Sequence, residues 1–330
     1  MSALAPTLEA FFTQRLLNQK RASSHTITAY KHTFRLLLGY ASERTGKPPC
    51  DLDFDDLDAR LIGSFLDHLE AVRHNSIRTR NSRLAAIHSL YRYASLEHPE
   101  HAATIARVLA IPTKRAERTD IAFLEPDEAD AILAVPDRDS WHGRRDHALL
   151  VTALQTGLRV SELTGLCCGD VELGRGPHLR CEGKGRKRRA TPLTAHTVSV
   201  LRAWSAERQG DPAAPLFPTT RGRPLSTDAV EALVTKYAAA ARDTCPTLRT
   251  KRVTVHTFRH SAAMNLLRAG VETSVIALWL GHEDVQTTTK IYLHADMTIK
   301  ERAIAKTTPP GTMPGRYKPP DRLLAFLEGL

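Results

Sequence analysis

The feature that most limits how this chain can fold is a change of rhythm near residue 110. From residue 7 to about 110 glycine is scarce and apolar residues recur at three- and four-residue steps, the period of amphipathic helices. Leu8, Phe11, Phe12, Leu16 and Leu17 make one stripe, and Tyr30, Phe34, Leu37 and Leu38 a second. Leu61, Phe65, Leu66 and Leu69 mark a third helix, and Leu84, Ile87, Leu90 and Tyr91 a fourth. Ser23 and Ser24 stand where a hydroxyl would cap the second helix, and Pro48-Pro49 should end it. Residues 111–120, I-P-T-K-R-A-E-R-T-D, are charged with an early proline and read as an exposed inter-domain linker.

Beyond residue 121 the pattern is mixed. Asp127 to Val135 and Arg145 to Gln155 read as helices, the second apolar nearly all round and therefore buried. Gly157 is placed to end it, and a new helix should begin near Val160-Ser161-Glu162-Leu163. Short strands separated by glycines are expected around Val171, from His178 to Cys181 and from Arg188 to Leu193. Helices follow at about 194–208, 226–243, 256–269 and 272–280. The fold class is therefore mainly α with a small antiparallel β-sheet, in two domains: residues 1–110 and 121–306, joined by 111–120. Residues 307–330 form a Pro-rich linker and a short amphipathic helix, in which Asp321 caps Leu323, Leu324, Phe326, Leu327 and Leu330.

The formal net charge is +10 with a pI near 9.6, which favours a polyanionic partner such as nucleic acid. No run of eighteen apolar residues could span a membrane, and the first ten residues lack the basic start and apolar core of a secretory signal. The five cysteines are odd in number and include no C-x-x-C pair. A disulfide framework or cysteine zinc site is not expected, and a reducing cytoplasm fits best.

Five short words carry the chemistry: T-G-L-R-V-S-E-L at 156–163, E-G-K-G-R-K-R-R at 182–189, H-T-F-R-H at 256–260, L-G-H at 280–282 and T-K-I-Y-L-H at 289–294. Cleaving a phosphodiester requires stabilising a phosphorane with extra negative charge. Two guanidiniums, permanently charged and able to grip two oxygens each, suit that task. Arg159 and Arg259 are the candidates, Arg159 near a helix start where the backbone also favours anions; a plain ion pair with Glu162 is the alternative for Arg159. A tyrosine nucleophile, mostly neutral at pH 7, needs nearby cations or a base, which Arg259, His256 and His282 could supply. Lys184, between Gly183 and Gly185, could protonate a leaving oxygen. His256 and His260 share a helix face, but the metalloprotease word H-E-x-x-H needs glutamate where Thr257 stands, so no metal site is expected. Arg78, Arg80 and Arg83, ahead of the fourth stripe, and Arg186 and Lys187 in the basic run are candidate DNA contacts; solvated surface charge is the alternative reading for both groups.

Taken together in this order, the words resemble those of the tyrosine recombinase, or phage integrase, family, and the likeness covers nearly the whole chain. The resemblance implies a two-domain DNA clamp: a helical, SAM-like core-binding domain over 1–110 and the family's catalytic domain over 121–306. It implies a catalytic set of Arg159, Lys184, His256, Arg259, His282 and Tyr292, with Tyr292 forming a 3′-phosphotyrosyl link to DNA and no cofactor or metal required. It also implies that residues 321–330 dock on a neighbouring copy, building a synaptic tetramer on double-stranded DNA in the bacterial cytoplasm. Integration or transposition of a mobile element is the role it suggests. One departure stands out: ten steps separate His282 from Tyr292 where the family form has nine. One extra residue would rotate a helical tyrosine by about 100°, so a catalytically impaired DNA-binding relative is the alternative.

Overall fold

The computed structural model describes residues 3–116, 122–183 and 188–281. The chain forms two compact units, Met1–Arg118 and Thr119–Leu330. Its described residues are mainly helical, with one three-stranded antiparallel sheet.

The first unit is helical throughout. Helix α1 (Leu4–Ala10) continues from Phe11 to Gln19 as a wider coil, in which the Lys20 N–H donates to the Arg15 carbonyl five residues back at 2.9 Å. Helix α2 (Ser24–Thr45) starts at Ser23, whose hydroxyl accepts from the Thr26 N–H at 3.2 Å. It ends earlier than the prolines suggest. Gly46 takes the left-handed conformation, φ +70°, which glycine adopts without a Cβ penalty, so Pro48 and Pro49 lie beyond a helix already closed. Asp58 caps α3 (Ala59–Ala71) and Ser76 caps α4 (Ile77–Glu97). Helix α4 packs against α2, α3 and α5 (Ala102–Leu109). Phe11, Phe34, Leu37, Phe65, Leu84, Ile87 and Tyr91 fill the core between them.

The second unit is organised around α7 (Trp141–Thr156), which follows α6 (Pro126–Ala134). Leu149, Leu150, Val151 and Ala153 of α7 are buried on successive faces, as an all-round apolar helix must be. It packs against α6, α9 (Ala195–Arg208) and α11 (Val255–Arg268). Helix α8 (Val160–Thr164) is one short turn packed on α10 (Thr227–Ala240). The sheet runs β1 (Val171–Glu172), β2 (His178–Glu182), β3 (Arg188–Pro192), with Cys181 opposite Arg189 and Leu179 opposite Thr191. Helix α12 (Thr273–Leu280) lies against α11 and β3 over a small core of Met264, Leu267, Ile276 and Leu280.

Gly157, between α7 and α8, has two reasons to be glycine. Its φ is +63°, and a Cβ there would lie 2.8 Å from the Leu280 side chain and 3.1 Å from Ala262. The backbone turn and the close approach of α11 and α12 both exclude a side chain.

Candidate active site

The site is built where the α7–α8 turn, the end of α12 and strand β3 meet. Arg259 sits on the inner face of α11 and is 2% exposed. Its guanidinium donates to the Gly157 carbonyl at 2.7 Å and to the Leu280 carbonyl at 2.6 Å. These are helix-terminal carbonyls, which have no intrahelical partner and carry partial negative charge. Arg159 stands immediately before α8 and donates to the next carbonyl of the same helix end, Gly281, at 3.0 Å. The two guanidiniums therefore converge on the end of α12, directly ahead of residue 282.

Arg159 also forms the ion pair considered from the sequence. Its Nη1 donates to Glu162 Oε1 at 2.8 Å, and its backbone N–H donates to Oε2 at 2.8 Å. The pair leaves the Arg159 side chain about a third exposed, at 34%. Ion pairing and access to an anion thus coexist. Helix α8 has five residues, so its summed peptide dipole adds little and the guanidinium dominates the field there.

Glu162 is shared. Arg189 of β3 donates to it twice, Nη1 to Oε1 at 2.9 Å and Nη2 to Oε2 at 2.7 Å, while its Nε donates to the Trp279 carbonyl at 3.1 Å. Burial raises the Glu162 pKa, but the hydrogen bonds from Arg189 and the Arg159 backbone, with both guanidinium charges, outweigh it and hold the carboxyl below its ordinary value. The Trp279 indole N–H donates to the Thr156 carbonyl at 3.1 Å, tying α12 to α7 a second time.

His256 lies one turn before Arg259 on α11 and keeps an exposed edge. Its ring meets that of His260 edge to face at 4.5 Å. Partial desolvation lowers its pKa below 6.5, and the charges of Arg259 and Arg159 lower it further. It is neutral near pH 7 and able to accept a proton. Among the described residues no group of three or more His, Cys, Asp or Glu is placed to hold a metal ion.

The structure thus brings Arg159, His256 and Arg259 together. Lys184, Arg186, Lys187, His282, Tyr292 and the tail 321–330 lie outside the described residues. In the first unit Arg78 is exposed and Arg83 half-buried on α4. Arg80 corrects the sequence expectation: it is buried, pairs with Glu70 at 3.3 Å and donates to the Pro112 carbonyl at 3.2 Å, so it faces the protein and has no open face for a phosphate. Arg35 and Arg73, not singled out from the sequence, gather with Arg83 around His32. Desolvation, then the charges of Arg83, Arg35 and Arg73, lowers that histidine's pKa. The three arginines come from α2, the loop after α3 and α4, and distant sequence positions hide the cluster. Arg189 is likewise missed by a reading that treats it as one more charge in a basic run. Its signal is the strand period: Arg189, Thr191 and Leu193 share one face and Arg188 the other, as their side-chain exposures of 13% for Arg189 and 87% for Arg188 show.

Comparison with known proteins follows the same division. A family model described as the phage integrase family matches residues 122–298, and one described as the phage integrase N-terminal SAM-like domain matches residues 10–98. The chain is 54% identical over 329 residues to y4rC of Sinorhizobium fredii (strain NBRC 101917 / NGR234), whose name reads integrase/recombinase, covering 100% of this chain and 99% of that protein. It is 31% identical over 304 residues to the tyrosine recombinase XerC of Pelobacter propionicus (strain DSM 2379 / NBRC 103807 / OttBd1), covering 92% and 95%. Its fold is similar to that in a lambda integrase tetramer bound to a Holliday junction, with a TM-score of 0.63 at 17% identity, covering 87% of this chain and 76% of that one.

Proposed function

The chain belongs to the phage integrase family of tyrosine recombinases and is a tyrosine-type site-specific recombinase, and from that premise we propose how its residues divide the work and what the work is for. Arg159 and Arg259 bind the scissile phosphate and stabilise the phosphorane, a task His282 shares. Tyr292 attacks phosphorus, forming the Tyr292 Oη–P bond while the P–O5′ bond breaks. His256 receives the tyrosine proton or contacts the phosphate, and Lys184 gives a proton to the leaving 5′ oxygen. Attack by the 5′-hydroxyl of a partner strand then reverses the exchange, regenerating the tyrosine. One phosphodiester is traded for another, so no external energy source is consumed.

The observation that carries this reading is the convergence of Arg159 and Arg259 on the Leu280 and Gly281 carbonyls. It fixes two guanidiniums side by side, one buried and one open, at the start of the segment that holds His282 and Tyr292. Such fixed charges need no reorganisation when negative charge develops. The lowered pKa of His256 supports its part as an acceptor.

The integrase names of y4rC and of the lambda structure support a mobile-element role, integration or transposition, in a bacterial cytoplasm. No described helix is long and apolar enough to cross a membrane. The lambda structure, a tetramer on a Holliday junction, supports a synaptic tetramer here, with residues 321–330 docking on the neighbouring copy. Residues 111–120 act as the linker, with 1–110 binding DNA and 121–306 carrying the chemistry. Truncation after Pro320 abolishes synapsis in a native gel of paired sites while leaving binding to one site; intact synapsis overturns the tail assignment.

The test is a suicide substrate: nicked DNA spanning the element's end, in EDTA, resolved on a denaturing gel. A covalent protein–DNA band that vanishes in Tyr292→Phe supports the assignment. Binding without a band, on a verified site, favours the second reading, a DNA-binding relative. The ten-step spacing of His282 and Tyr292 is the observation behind it.

A further inference from the structure

We propose that Arg189 is a positioning residue that keeps Arg159 electropositive by competing with it for Glu162. This role presupposes that Arg159 binds the scissile phosphate, as proposed for the function. Glu162 is one carboxylate, 3% exposed, between two guanidiniums. Its Oε1 accepts from both, from Arg159 Nη1 at 2.8 Å and from Arg189 Nη1 at 2.9 Å, while Oε2 accepts from Arg189 Nη2 at 2.7 Å. Two positive charges against one negative leave the triad with a surplus of +1.

That surplus is not spread evenly. The Arg189 side chain is 13% exposed and engages the carboxylate through two nitrogens, the side-on geometry that makes guanidinium–carboxylate pairs strong. Arg159 engages it through one guanidinium nitrogen and is 34% exposed. The excess charge therefore faces solvent through Arg159. Without Arg189, Glu162 would pair with Arg159 alone, the local charge would fall to zero and the phosphate would meet a neutralised ion pair. Partial burial makes the difference larger than in water, because the interaction is less screened.

Arg189 is also fixed independently of Glu162. Its Nε donates to the Trp279 carbonyl at 3.1 Å, and its guanidinium lies so close to Gly281 that a Cβ there would sit 2.6 Å from Nη1. Gly281 has φ +66°, so a side chain would strain the backbone as well as displace the arginine. The same residue thus spans β3, α8 and the end of α12, and Gly281 is glycine to let it through.

The test is single-turnover cleavage of the suicide substrate, with DNA affinity measured alongside in a non-cleaving Tyr292→Phe background. Arg189→Met lowers the cleavage rate about 10- to 100-fold, the scale seen when a group that orients a reacting side chain is lost, with affinity within about threefold. Arg189→Lys, which keeps the charge, stays within about threefold of the parent rate. The double variant Glu162→Gln/Arg189→Met returns the local charge to +1 and recovers most of the loss. Parent-like cleavage by Arg189→Met overturns the proposal, as does a folded double variant as slow as the single one. If Arg189→Met does not fold, a tenfold loss in Arg189→Lys overturns it and a near-parent rate supports it. An Arg159→Lys control separates the layers: unchanged cleavage there sinks the phosphate-binding reading, whereas a loss there with none at Arg189 sinks this inference alone.

Discussion

The two units bury different things. In the first, rings meet rings: Phe11 packs against Phe12, Phe34 and Tyr93 with centroids 5.7, 6.1 and 5.8 Å apart, and Phe54 meets Tyr91 edge to face at 5.7 Å. Its buried titratable or charged side chains among the described residues are Arg80 and His88, with Tyr40, Tyr91 and Tyr93. The second unit buries Glu128, Arg145, Asp146, His147, Glu162 and Arg259. Buried charges rarely repay their desolvation as well as apolar packing would. A unit that accumulates them gives up stability to hold charges in fixed places, and two of these six stand in the candidate active site. The first unit is therefore specified mainly by shape and the second by shape plus an internal electrostatic framework.

Stability is the first test of that contrast. Phe11→Ala removes a fully buried ring with four aromatic neighbours and should cost about 3–5 kcal/mol of unfolding free energy. Denaturant unfolding of the full chain checks it, analysed by separate transitions because two units need not unfold together. The loss should be equal at pH 5.5 and pH 7.5, since packing titrates nothing. A loss that grows at the lower pH would show that the first unit also leans on ionisable groups.

Arg259→Gln attacks the other kind of core. It removes a guanidinium that holds the Gly157 and Leu280 carbonyls, and single-turnover cleavage should fall about 10²- to 10³-fold, roughly 3–4 kcal/mol of barrier. Cleavage within threefold of the parent would remove Arg259 from the chemistry and leave it a strut between helices.

Much of this architecture is legible in the amino-acid order. The three strands, Gly157 as a helix end and the buried helix read at Arg145 to Gln155, which the structure starts one turn earlier at Trp141, follow from period and punctuation, because each depends on neighbours in sequence. Arg159, His256 and Arg259 can be named because each sits in a short word whose chemistry is local. What is not legible comes from distant positions meeting in space. Arg189 reaches Glu162, 27 residues away, and Arg80 turns inward to the Pro112 carbonyl, 32 residues away. Both read as surface charge, since a sequence shows a charge without showing which way its backbone aims it.

A pH scan probes the charged core of the second unit. His147 on α7 is 7% exposed and its Nε2 lies 2.9 Å from Arg138 Nη2. Desolvation, then the charges of Arg138 and His196, depresses its pKa from 6.5 to about 4. The folded state thus favours the neutral ring. Its contribution is fully present above pH 6.5 and is lost as pH falls from there toward 4, where the unfolded chain binds the extra proton. The full effect is on the order of 3 kcal/mol for a shift of this size. Unfolding of the second unit should become easier between pH 6.5 and 4.5, above the range where Glu162 itself is protonated, and His147→Gln should flatten that slope. An unchanged slope in His147→Gln would place the acid sensitivity elsewhere.

The smallest predicted effect separates two arginines two residues apart on one helix. Arg78 is exposed and Arg80 buried. If Arg78 neutralises one DNA phosphate, Arg78→Ala reduces the slope of log affinity against log salt by about 0.9, with a weakening that is uniform across sequences. Arg80→Ala should leave that slope unchanged, because a guanidinium engaged with Glu70 and the Pro112 carbonyl releases no DNA counterion; its loss should appear as lower stability of the first unit. Equal slopes for both variants would mean that DNA draws Arg80 out of its internal pairing. The first unit would then, like the second, store a charge that its ligand redirects, and the distinction between a core built for shape and a core built for charge would narrow to one of degree.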